Sequence, residues 1–102
     1  MNKYNNQKTE VFGKLFASKR EAKRYRELRL LLRAGEILDL ECQVVVPCAV
    51  NGKHVCNYIA DFRYKTRAGA VVYEDAKGFP TDVYKLKKKL VRVCSSIEIQ
   101  EV

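Results

Sequence analysis

Asp61, Asp75 and Lys77 are the residues of this chain best suited by type and spacing to do chemistry. The segment Tyr58 to Gly78 reads as two strands and a turn. Strand side chains alternate, so Asp75 and Lys77, two apart, point the same way. If the strands pair as an antiparallel hairpin, Asp61 lies nearly opposite Asp75. Cross-strand Cβ atoms are then about 5 Å apart, and two like charges at that spacing repel. Such a pair calls for a cation between the carboxylates or a task that requires both. A hard divalent ion such as Mg²⁺ prefers oxygen ligands and keeps several waters. A lysine beside it can orient an attacking water while the metal offsets charge on a phosphate. The bland alternative is an Asp75–Lys77 surface ion pair with Asp61 unrelated. For a hairpin taken alone, the modest worth of such pairs favours that alternative.

Glu21 changes the balance. Ser18 opens a helix with Glu21 three residues on, a capping-box pattern. Ala22, Tyr25, Leu28, Leu31 and Leu32 follow at helical spacing, and Gly35 ends the run. Glu21 shares the stripe of Tyr25, Leu28 and Leu32, so it faces the sheet rather than water. A capping role and a role in an inward carboxylate cluster can coexist at a helix start. A third inward acid favours a metal site built from Asp61, Asp75 and Glu21.

The elements that must position these residues follow from pattern. Thr9 to Phe16 alternates around Gly13 and reads as a short strand or hairpin arm. Leu40 to Val50 is rich in β-branched residues, with Pro47 marking an edge or a bulge. Asn51-Gly52 turns the chain into a second strand, about Val55 to Tyr64. Its face Cys56, Tyr58, Ala60, Phe62 and Tyr64 is the core side, leaving Asp61 on the more polar side. Ala70 to Lys77 forms a third strand, broken by Gly78-Phe79-Pro80. The hairpin register is open by a residue, so sequence alone does not match the faces. Thr81 caps a second helix to about Val93, with Val83, Leu86, Leu90 and Val93 expected on its apolar side. Ser96 to Val102 closes with a short strand. Helix, three strands, helix, strand makes an α+β domain with helices packed on a small mixed sheet.

Length and composition bound the rest. The 102 residues suit one domain, and 47% hydrophobic content supplies a core. No apolar run approaches the roughly 20 residues needed to span a bilayer, and Met1 to Lys8 lacks a signal-peptide core. The expectation is a soluble, cytoplasmic protein. The net charge is +8, from 20 Lys and Arg against 12 acids. Basic charge of this density suits a polyanion. Lys19, Lys23 and Arg26 form a stripe on the first helix beside Arg20 and Arg24; Lys85, Lys88, Lys89 and Arg92 do so on the second. Flanking a carboxylate cluster, they read as phosphate-tracking surfaces. Tyr4 and Tyr84 are aromatics able to stack on bases, although Tyr84 also suits the core. A membrane-surface helix is disfavoured, because no exposed Trp, Phe or Leu stripe accompanies the polar faces. Cys42, Cys48, Cys56 and Cys94 lack zinc spacing and read as buried thiols, and His54 as an exposed loop residue.

The order inward Glu, strand Asp, strand Asp-x-Lys, helix resembles the PD-(D/E)xK nuclease superfamily. The chain is similar to an uncharacterised phage and prophage family within it. The likeness rests on Phe16-Ala17-Ser18-Lys19-Arg20-Glu21-Ala22, Leu40-Glu41-Cys42-Gln43, Tyr58-Ile59-Ala60-Asp61-Phe62-Arg63-Tyr64 and Glu74-Asp75-Ala76-Lys77-Gly78. Thr81-Asp82-Val83-Tyr84 and the lysine run after it also fit. The resemblance implies a single restriction-endonuclease-like domain over residues 1–102, with 1–17 an N-terminal extension or short strand. Its core order is α-β-β-β-α-β around a central mixed sheet. It further implies a metal-dependent DNA endonuclease, similar to Holliday-junction resolvases, in phage recombination or DNA processing inside a bacterial host. Asp61 and Asp75 would bind Mg²⁺ or Mn²⁺, Lys77 would orient the water, and Glu21 would complete the shell. Gln43 fits either ligand support or a strand-surface amide. Ala60 stands where the motif has proline, and Glu74 competes with Asp75, which the Asp-x-Lys spacing favours. Branched DNA is the implied partner, and symmetric cutting implies a homodimer. The rival reading is a non-catalytic basic module that binds nucleic acid on a nuclease-like fold.

Overall fold

A computed structural model describes residues 8–78 and 80–102. Tyr4 and the polar start of the chain lie outside these residues, as does Phe79 of the expected strand break. In chain order the elements are β1 (Thr9–Val11), β2 (Lys14–Phe16), α1 (Lys19–Arg33), β3 (Ile37–Val50), β4 (Lys53–Thr66), β5 (Val71–Asp75), α2 (Asp82–Ser95) and β6 (Ile99–Glu101). β1 and β2 form a separate antiparallel hairpin. The main sheet has the order β3-β4-β5-β6, antiparallel except that β6 runs parallel to β5 after the α2 crossover. This is an α+β arrangement of two helices on a mixed four-stranded sheet, in the order expected from the sequence.

Local chemistry explains the punctuation. Asn51 and Gly52 both take positive φ, 51° and 76°. That is the two-residue turn whose twist matches antiparallel strands. Ser18 Oγ accepts the Glu21 N–H at 3.2 Å and caps α1. At the other end Glu36 N–H donates to Leu31 O and Gly35 N–H to Leu32 O, with Gly35 at φ 75°. Those paired bonds satisfy the last helical carbonyls and need a left-handed residue, which glycine supplies at least cost. Pro47 sits on β3, the edge strand, where its missing N–H leaves no ladder bond broken.

β4 feeds two cores. Phe62 and Tyr64 pack with Ala22, Tyr25 and Leu28 of α1 and with Val11 and Phe16 of the hairpin. Tyr58 and Ala60 pack with Val46 and Cys48 of β3, Val91 of α2 and Ile99 of β6. The Tyr25 ring stacks on Phe62 at 6.2 Å and leans on Phe16 at 4.8 Å, which fixes α1 against the sheet.

Several expectations need correction. β5 ends at Asp75, so Lys77 follows the strand and its direction is not set by strand alternation. His54 is exposed but belongs to β4, paired with Ala49 and bonded to Asn57 at 2.9 Å. Of the cysteines only Cys48 is buried, and all four are free thiols, Cys42, Cys56 and Cys94 being partly exposed. α2 does not bury the expected face. It packs through Val91, with Tyr84 and Leu90 partly buried, while Val83, Leu86 and Val93 are exposed. The basic surface is therefore accompanied by an exposed apolar stripe after all. No helix among the described residues is long and apolar enough to cross a membrane.

Candidate active site

The β4–β5 ladder runs from Lys65↔Val71 to Phe62↔Glu74 and stops there. The next positions in the same register are Asp61 and Asp75, and their side chains replace the missing ladder. Asp61 N–H donates to Asp75 Oδ1 at 2.8 Å. Ala76 N–H donates to Asp61 Oδ2 at 2.9 Å. The strands thus part where the carboxylates insert, and each acid is held by the other strand's backbone. Both are buried, Asp61 at 4% exposure and Asp75 at 0%. Asp75 Oδ2 is buried with no hydrogen-bond partner among the described residues. A buried acceptor without a partner is costly unless something else meets it.

Glu21 reaches the same place from the first turn of α1. It is buried there, close enough for the Asp61 charge to act on it. Burial, then the Asp61 charge, pushes Glu21 up to about 7. Burial likewise raises Asp75 to about 6, against the Asp61 N–H bond and the Lys77 charge. Asp61 is also raised by burial, opposed by the Ala76 N–H, Lys77 and the Gln43 side chain. The Asp61 charge is a further cause that raises Glu21, so the two carboxyls oppose each other's ionisation.

Lys77 brings the positive charge. Its field favours the ionised form of Glu21, Asp61 and Asp75 alike. Its Nζ lies 5.5 Å from the centre of the Tyr84 ring on α2. That cation–π contact positions the ammonium on a segment without strand geometry. Gln43, with φ 52° inside β3, is exposed, and its side chain favours the ionised form of Asp61. Ligand support and a strand-surface amide, the two roles the sequence allows it, both fit that exposed place.

Glu74 goes elsewhere. Arg24 Nε and Nη2 donate to its two oxygens at 2.8 and 2.7 Å, and the Tyr64 hydroxyl also donates to it. Asp75 rather than Glu74 therefore joins Asp61, as the Asp-x-Lys spacing favours. Arg24, expected at a nucleic-acid surface, is committed to this buried ion pair and to Glu27. Lys88 is likewise drawn to Glu101 at 2.9 Å. Lys19, Arg20, Lys23, Lys85 and Lys89 are exposed, as are Arg26 and Arg92, although Arg20 Nε donates to Val102 O at 3.0 Å.

Two further participants come from α2 and β6. Tyr84, able by type to stack on a base or join the core, is instead the seat of Lys77. Glu101 accepts from the Tyr84 hydroxyl and Lys88, and its charge raises Asp75. Neither has a local signal, because each depends on where α2 and β6 dock. A concavity of about 540 Å³, lined by Lys14, Phe16, Ala17, Glu21, Cys42 and Gln43, opens beside Glu21. A larger one of about 730 Å³ lies at the Glu74 and β6 side, away from the cluster.

The donor set is hard oxygen with a desolvated orphan acceptor, which suits Mg²⁺ or Mn²⁺ rather than a soft metal. Among the described residues no three acidic, imidazole or thiol groups converge into a ready-made metal cage. A cation here would draw its remaining ligands from water and substrate oxygen, the habit of Mg²⁺.

No curated protein and no solved structure matches the chain. Residues 1–98 match the family described as "Protein of unknown function (DUF1064)", and the chain belongs to that family.

Proposed function

We propose that this protein is a divalent-metal-dependent DNA endonuclease with a restriction-endonuclease-like core. The observation that carries the reading is the convergence of Glu21, Asp61, Asp75 and Lys77 from α1, β4 and the end of β5, with Asp75 Oδ2 buried and unmet. Burying Asp61 and Asp75 against each other, with Glu21 near enough to feel their charge, is unfavourable. Asp61 and Asp75, with Glu21 beside them, would hold Mg²⁺ or Mn²⁺. When bound, such a cation polarises a phosphoryl oxygen and acidifies water. Lys77, seated on Tyr84, orients the attacking water through Nζ. The Ala76 N–H fixes the Asp61 carboxylate. Water adds to phosphorus and releases a proton to solvent, the bond to the leaving sugar oxygen breaks, and that oxygen takes up a proton. Exposed lysines of α1 and α2 supply the phosphate contacts that hold the strand.

The preferred substrate in this reading is branched DNA, cut in the manner of a Holliday-junction resolvase during phage recombination or processing in a host cytoplasm. Symmetric cleavage of two strands calls for a homodimer. A binding-only module would need the basic faces but not the buried acids. The deciding experiment offers linear, nicked, flapped and four-way DNA to wild type and Asp61→Asn, with Mg²⁺ and with Mn²⁺. Cleavage of the four-way form by wild type alone is expected. Absence of cleavage of every form with both metals would sink the proposal, and salt-sensitive binding without cleavage would leave the module.

A further inference from the structure

α2 divides into three sectors when its residues are set 100° apart. One, centred on Val91, packs on the core with Tyr84 and Cys94 at its margins. A second holds Lys85, Lys89 and Arg92, all exposed. The third is apolar: Val83 is 63% exposed, Leu86 60% and Val93 77%, with Leu90 partly buried between them. Their spacing of three, four and three residues is that of the a and d positions of two heptads. The stripe points away from both the core and the basic sector.

We infer that this stripe is a homodimer seam, joining α2 to α2 of a second copy in parallel. The orientation follows from the flanking charges. With Val83 and Leu90 at a, Asp82 and Lys89 fall at g, Lys87 and Cys94 at e. Parallel helices set each g residue beside the e residue five further along on the partner. Asp82 then meets Lys87 of the other copy on both sides of the seam, and Lys89 meets the uncharged Cys94. An antiparallel pair matches the apolar residues equally well, since Val-Leu-Leu-Val reads the same both ways. Its twofold axis, however, passes level with residue 88, bringing Lys87 and Lys89 beside their own copies. Like charges there disfavour it. Two heptads are few for free peptides. Here α2 is already formed and docked through Val91, so the cost of nucleating the helix falls on folding rather than on association.

The inference does not depend on the nuclease reading, and its test reads mass rather than cleavage. Sedimentation equilibrium of the full chain, from about 1 μM to about 1 mM, should show a monomer–dimer equilibrium. Leu86→Asp should abolish it with the circular dichroism unchanged, because that side chain is mostly exposed. Lys87→Glu should weaken it at least about tenfold, a change of about 1.4 kcal/mol. Adding Asp82→Lys to Lys87→Glu should restore it by reversing the pair. A wild type monomeric throughout overturns the inference, as does a dimer indifferent to Leu86→Asp. Failure of the charge reversal overturns the parallel seam. Flotation of a monomeric wild type with phosphatidylglycerol vesicles would overturn it in favour of a membrane-lying helix.

Discussion

Asp61 and Asp75 clasp each other's strands: the Asp61 N–H donates to Asp75 at 2.8 Å, while Asp61 accepts the Ala76 N–H at 2.9 Å. The same two carboxylates that would hold a cation also replace backbone pairing where β4 and β5 part. Structure and chemistry therefore separate only under careful substitution. Asp75→Ala removes the acceptor of a buried N–H and should lose about 1–3 kcal/mol of stability together with activity. Asp75→Asn keeps an acceptor oxygen and removes a desolvated charge. It should keep or raise the urea midpoint of metal-free protein while cleavage falls by more than about a hundredfold. Equal loss of stability in both variants would contradict the clasp.

Glu21 sets a pH dependence of stability. Its folded pKa of about 7 lies above the ordinary 4.5, so between those values the folded state binds more protons than the unfolded. Its contribution is fully present below about pH 4.5 and is lost as pH rises through 7, on the order of 2–3 kcal/mol. Asp75, raised to about 6 from 3.8, acts in the same direction at lower pH. Metal-free protein should melt lower at pH 8 than at pH 5, and Glu21→Gln should flatten that slope. A wild type whose melting temperature rises steadily from pH 5 to pH 8 would refute this cause.

Divalent ions should reverse that loss. Binding to the folded state alone stabilises by RT ln(1 + [L]/Kd), about 2.7 kcal/mol at a hundred times Kd. Mg²⁺ or Mn²⁺ should raise the melting temperature at pH 8 more than at pH 5, because protons compete for the same oxygens. In Asp61→Asn the shift should disappear.

The Arg24–Glu74 pair predicts a stability effect remote from catalysis. Glu74 is 2% exposed and Arg24 holds both its oxygens. Arg24→Met leaves that carboxylate buried without its cation, at a cost of about 3–5 kcal/mol. Adding Glu74→Gln should recover much of it. Denaturant unfolding of the two single variants and the double variant measures the coupling.

Tyr84 is predicted to act through Lys77. Tyr84→Phe keeps the ring and the cation–π contact, worth about 0.5–2 kcal/mol, and should cleave nearly as wild type. Tyr84→Leu removes the ring and should lower kcat by up to about tenfold with little change in DNA affinity. A fall in affinity alone would mark Tyr84 as a binding residue instead.

The sequence by itself determined the element order, because its signals are local. Ser18 and Thr81 mark helix starts, Gly35 a helix end, and Asn51-Gly52 a tight turn, each by its own backbone preference. The burial of Glu21 was also legible, since it shares the stripe of Tyr25 and Leu28. The Asp61–Asp75 register was not, because a one-residue slip exchanges the faces without changing the composition of either strand. Only the folded sheet showed the ladder ending at Glu74 and the carboxylates taking over. The choice between Glu74 and Asp75 likewise depended on Arg24, fifty positions away in sequence. The face of α2 was the plainest reversal. Its hydrophobic pattern says that Val83, Leu86, Leu90 and Val93 form one side, but a pattern does not say what lies opposite it. Docking through Val91 left that side mostly facing water, because the area α2 covers on β3 and β4 is fixed by the sheet, not by the helix.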